Sequence, residues 1–187
     1  ISPVDLIPQV YIEQVIADGD ELWFIANSSL WRYSIKQRKV KNYRVQSTAL
    51  FLDSAKNLWT GNKYGEIRIF DRHGALKKTM KTMGLIRTPN INTISAIFPF
   101  DDSSVLIGCF GAGLKRYDMG KQIATKIALN GKDDSDLFVR DICKGNNGEY
   151  WIATDSGVYI YNPDTKSCRH LSKRAGAPYA MPDNAVY

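Results

Sequence analysis

One unit of about forty residues recurs four times in this chain, and the recurrence limits the possible folds more than any other feature. The clearest copy runs from Glu149 to Leu171, EYWIATDSGVYIYNPDTKSCRHL. Tyr150 to Thr154 is apolar and β-prone, and Asp155-Ser156-Gly157 is a turn cluster whose glycine can take a positive φ. Val158 to Tyr161 is a second strand-like run, broken by Asn162-Pro163-Asp164, and Lys166 to Leu171 is a third, more polar run. Upstream, Phe138 to Ile142 supplies another strand, joined through Gly145-Asn146-Asn147-Gly148. The unit reads as a four-stranded antiparallel meander.

Three further copies keep turn, aromatic and spacing together. Trp23, Trp59, Leu106 and Trp151 are the landmarks, spaced 36, 47 and 45 residues apart. The aromatic that closes each following run, Tyr33, Phe70, Tyr117 or Tyr161, lies 10, 11, 11 and 10 residues beyond its landmark. Four strands per unit at this period is the pattern of β-propeller blades. The expected fold is all-β: about four four-stranded antiparallel blades making a partial propeller. The blades span approximately 15–46, 48–80, 93–129 and 137–171. Residues 1–14 read as the tail of a preceding segment and 182–187 as the start of a further blade. Ile1, in place of an initiator Met, suggests a processed or excised segment. No low-complexity linker divides the units, so one continuous array of 187 residues is expected. In such an array the turns between strands two and three share a face with the connections between blades. Loops on a rigid scaffold are where function concentrates.

Composition narrows the function classes. Net charge is +6, but the charges are dispersed over turns and strand faces, with only a modest run at Lys36-Gln37-Arg38-Lys39 and no nucleic-acid motif. Nucleic acid is therefore not an expected partner. No run approaches the 18 or so apolar residues of a membrane helix. The three cysteines, Cys109, Cys143 and Cys168, cannot all pair within the chain. Cys143 and Cys168 belong to opposite edges of one blade, so three buried or half-buried thiols are expected.

Catalytic and metal chemistry has little support. His73 and His170 have no partner at metal-ligand spacing. Asp101-Asp102 and Asp133-Asp134, with Asp136 nearby, are adjacent carboxylates of the kind that solvate a loop; a glycosidase needs two that converge across a bond. The acidic stretch does not match an EF-hand, and nucleotide and hydrolase fingerprints are absent. Neither a catalytic residue, a metal nor a cofactor is expected. Trp23, Trp59 and Trp151 are expected to pack between stacked blades, whereas Tyr64 and Phe110 fall at turn tips.

Leu58-Trp59-Thr60-Gly61-Asn62, Gly113-Leu114-Lys115-Arg116-Tyr117-Asp118 and Tyr150 to Val158 resemble the two-component regulator propeller repeat, which typically reads LWIGT, a short turn and GLxRYD. Met181 to Tyr187 is similar to the family's opening to a new blade. Unit one departs at Ser29, where the turn glycine is expected, and unit three has Leu106 for Trp. The resemblance implies the periplasmic sensor region of a Bacteroidetes hybrid two-component histidine kinase, non-catalytic in this segment. It implies sensing of polysaccharide-derived oligosaccharides, with any membrane attachment through parts of the parent outside this chain. Sugar rings stack on aromatics and hydrogen-bond to neighbouring polar groups, which selects Tyr64, Phe110, Arg87, Asn62 and Asp155 as the candidate ligand residues. Open terminal blades imply self-association, as a homodimer or otherwise. The rival readings are a propeller polysaccharide lyase or glycosidase, and a protein-interaction scaffold.

Overall fold

A computed structural model describes residues 11–82, 92–129, 137–173 and 181–186. It holds sixteen strands in four antiparallel sheets, each a simple meander. Sheet 1 is β1 (Ile12–Asp18), β2 (Glu21–Ala26), β3 (Ser29–Ser34) and β4 (Lys39–Gln46). Sheet 2 is β5 (Ala49–Leu52), β6 (Leu58–Gly61), β7 (Glu66–Phe70) and β8 (Leu76–Lys81). Sheet 3 is β9 (Ile94–Asp101), β10 (Ser104–Cys109), β11 (Gly113–Asp118) and β12 (Ile123–Ile127). Sheet 4 is β13 (Val139–Lys144), β14 (Tyr150–Thr154), β15 (Gly157–Asn162) and β16 (Ser167–Leu171). Among the described residues there is no helix, and none long and apolar enough to cross a membrane.

Sheets 2 and 3 bury both faces of their second strands, because each is sandwiched between two others. β6 and β10 are accordingly buried along their whole length, the near-continuous apolar pattern of doubly covered strands. Three cores result. Trp23, Ile25 and Leu30 of sheet 1 meet Leu50, Leu58 and Phe70 of sheet 2. Trp59, Ile67 and Ile69 of sheet 2 meet Ile97, Val105, Ile107 and Tyr117 of sheet 3. Leu106 and Leu114 of sheet 3 meet Tyr150, Ile152 and Tyr159 of sheet 4.

The four landmarks occupy equivalent places. Trp23 pairs with Ile16 and Arg32, Trp59 with Phe51 and Ile69, Leu106 with Phe98 and Arg116, and Trp151 with Cys143 and Ile160. Trp59, Leu106 and Trp151 face away from the preceding sheet, and Trp23 faces sheet 2. Two positions later, Gly61 and Gly108 let the next sheet come close: an added Cβ would run into the side chain of Ile94 or of Val139. The glycine of the repeat is thus a spacing residue between sheets.

Two expectations are corrected. Trp23 and Trp59 are 2 % and 7 % exposed, but Trp151 is 40 % exposed. It has the right register on the outer face of sheet 4, where the described residues provide no further sheet to cover it. Cys143 shares that face and is exposed for the same reason, whereas Cys109 is buried between sheets 2 and 3 and its thiol pKa is pushed up to about 12 by desolvation. All three cysteines are free, with Cys143 and Cys168 on the opposite edge strands β13 and β16. The departure at Ser29 is absorbed by the turn before it. Asn27 and Ser28 take φ of 50° and 54°, the left-handed pair that a two-residue hairpin needs.

Candidate functional site

The first strands β1, β5, β9 and β13 form the inner edge of the array. A strand edge leaves backbone groups unpaired, and here polar side chains of one inner strand satisfy those of the next. Gln14 accepts from the Leu50 amide at 2.7 Å and donates to the Leu50 carbonyl at 3.2 Å. The Thr48 hydroxyl donates to the Ile94 carbonyl at 2.7 Å, and the Ser95 hydroxyl to that of Val139 at 2.6 Å. Three successive links stitch sheets 1 to 4 along the axis.

At the loop-bearing end of these strands the register slips. It shifts between Ile12 and Gln14, between the partners of Gly108 and Cys109, and between Val139 and Asp141. Gln14, Ala49, Ala96 and Asp141 each pair two residues beyond their landmark, with Ile25, Gly61, Gly108 and Ala153. The residues just before them, Glu13, Thr48, Ser95 and Arg140, are therefore equivalent. A bulge re-aims a side chain. All four line one axial cavity of about 300 Å3, together with Gln14 and Asp141. The ring offers two carboxylates, one guanidinium, an amide and two hydroxyls, a donor and acceptor set suited to a polyhydroxylated ligand.

The loop face adjoins this ring. The Glu13 carboxylate accepts from the Ser28 amide at 2.7 Å. Arg140 reaches to the turn of sheet 4, where its Nε donates to Asp155 Oδ1 at 2.6 Å. The same guanidinium lies over Phe110, 4.5 Å from the ring centroid, and Phe138 meets Phe110 edge-on at 5.1 Å. Backbone bonds from Phe110 to Thr93, from Gly113 to Leu137 and from Asp155 to Phe138 tie these turns to the connections between sheets.

The structure thus brings Phe110 and Asp155 into one cluster through Arg140, which in the sequence is indistinguishable by type from an ordinary strand residue. The available signal was its place eleven residues before the landmark, shared with Thr48 and Ser95. Phe110 is half-buried, because Arg140 covers a face and Phe138 an edge. Asn62 is 4 % exposed and folds its own turn: its Oδ1 accepts from the amides of Tyr64 and Glu66, and its Nδ2 donates to Glu66 Oε2. Tyr64 sits on the sheet 2 turn, 40 % exposed, with Lys63 Nζ 5.2 Å from its ring centroid. Arg87 lies outside the described residues, as do Asp133, Asp134 and Asp136.

The other polar candidates are occupied locally. Asp101 accepts from Ser103 and pairs with Arg116 at 2.7 Å. The His170 ring stacks on Tyr159 at 4.1 Å, with Nε2 2.8 Å from the Ser156 carbonyl. Among the described residues no three His, Cys, Asp or Glu side chains gather as a metal site.

No protein-family model matches the chain, and no curated protein matches it. Solved structures do. An extracellular domain ascribed to a hybrid two-component system of B. thetaiotaomicron aligns with a TM-score of 0.77 at 16 % identity, covering 94 % of this chain and 24 % of its own. A second such domain from the same organism gives 0.68 at 15 % identity, covering 93 % and 30 %. A protein of unknown function from Bacteroides caccae gives 0.67 at 11 % identity, covering 87 % and 60 %. The chain is similar to these in fold, and it spans about a quarter of the length of the first.

Proposed function

We propose that this chain is a ligand-binding segment of the periplasmic sensor region of a two-component histidine kinase, non-catalytic in itself, and that it recognises oligosaccharides released from complex polysaccharides. The observation that carries the sensor reading is the likeness over 94 % of the chain to an extracellular domain of a hybrid two-component system. The ligand class rests on the axial ring of Glu13, Thr48, Ser95 and Arg140 and the aromatic cluster above it. Phe110, Asp155 and Arg140 form one side of the binding face, and Tyr64 and Asn62 belong to the sheet 2 turn; Arg87 joins the ligand residues on its sequence position alone. In the parent, occupancy of this face would favour one arrangement of paired sensor chains over another, which is how binding becomes a signal.

Calorimetric titration with a panel of neutral oligosaccharides tests the reading. At least one should bind saturably, and Arg140→Ala should weaken it about tenfold or more, equivalent to about 1.4 kcal/mol. Turnover of any polysaccharide by the chain would replace the sensor reading with an enzyme. Self-association through the outer faces is tested by light scattering, where a clean monomer at every concentration would refute it.

A further inference from the structure

A second cavity of about 300 Å3 lies on the opposite rim, between sheets 1 and 2. β3 and β4 form one wall, and His73, in the turn between β7 and β8, comes from the other. Its chemistry is unlike that of the axial ring. Lys39, Lys41 and Arg32 point a cationic set at one space, and Glu21 is the only carboxylate lining it. Glu21 is already matched by Arg32 at 3.0 Å, and that guanidinium also lies over Trp23 at 5.0 Å. Two lysine charges are left over. Lys41 Nζ sits 4.4 Å above the Tyr43 ring, and Lys39 has no carboxylate partner among the described residues.

The wall is held in place. Tyr43 packs on Trp23 at 5.2 Å and on Phe70 of sheet 2 at 5.6 Å, at the point where the β3–β4 register slips. The bulge therefore turns an aromatic of the outermost strand into the floor of an intersheet groove. Ser34 and Gln37 supply neutral hydrogen-bonding groups beside the lysines.

We infer that this groove binds an acidic sugar through a carboxylate or sulfate ester, at a site separate from the axial ring. The lysines meet the anion, and Ser34 and Gln37 meet hydroxyls. A short stripe of charge on a flat surface would suit a nucleic acid backbone; here the cations surround a concave space at the lower limit of ligand size. The inference does not depend on the sensor reading.

The test uses the whole chain and calorimetric titration with digalacturonate, a neutral digalactoside and sodium sulfate. Digalacturonate should bind saturably, and more weakly as salt rises. Lys39→Gln combined with Lys41→Gln should weaken it about tenfold or more, and His73→Gln should weaken it less. Lys121→Gln, a loss of charge in the β11–β12 turn outside both cavities, should leave it unchanged, which shows that the effect is local to the groove. Both lysines are exposed, and an unchanged melt of the double variant confirms that folding is intact. Equal binding by the neutral digalactoside overturns the proposal, as does wild-type affinity in the double variant. Sulfate binding as tightly as digalacturonate overturns its sugar component.

Discussion

Trp59 and Trp151 hold the same register in sheets 2 and 4, and their surroundings are opposite. Trp59 is 7 % exposed against sheet 3, and its Nε1 donates to Asp53 Oδ2 at 2.9 Å. Trp151 is 40 % exposed and lies against the turn glycine Gly145. A repeat specifies the direction in which a side chain points. Burial is set by what the neighbouring unit brings to meet it. In a stacked array the stability of a position thus depends on the interface it faces.

Substitutions can break that contrast. Trp59→Ala should cost about 3–5 kcal/mol in denaturant unfolding, the range for truncating a buried aromatic. Equal losses at Trp59 and Trp151 would refute the contrast. Gly61→Ala should cost about 1–3 kcal/mol, because the new methyl displaces Ile94 across the same interface. Next comes the acid limb of stability. Burial acts to raise the Asp53 pKa, but hydrogen bonds from Trp59, Asn57 and Ala55 outweigh it and hold the carboxyl below its usual value. A carboxyl lowered by folding stabilises the native state above its unfolded pKa, and that contribution disappears as pH falls through the folded value. Asp53→Asn should flatten the loss of stability below about pH 4, measured as the denaturation midpoint against pH. Trp151→Ala should change stability least, by no more than about 0.5 kcal/mol, the usual range at an exposed site.

The meander order was legible because turn clusters and aromatic runs recur in phase, and the landmark spacing located equivalent residues in all four sheets. The axial ring was harder to see. Glu13, Thr48, Ser95 and Arg140 have no chemistry common to all four; what they share is a place in the pairing register, beside a bulge in sheets 1, 3 and 4 and just before Ala49 in sheet 2, which the partner strand reveals. Asn62 carried a plausible ligand chemistry, but its own turn uses its amide oxygen twice. Phe110 was placed correctly at a turn, and its cover by Arg140 depends on an approach of two sheets that spacing alone does not encode.

Because every strand pairs with its sequence neighbour and each core joins consecutive sheets, assembly of this chain needs few long loops to close. Entropy therefore sets a low barrier to starting, and any pair of adjacent sheets can serve as the seed. The same wiring means that a defect at one boundary is not shared across the molecule. Under rising denaturant, hydrogen exchange should report separate openings on either side of it, where a closed architecture would melt in one step.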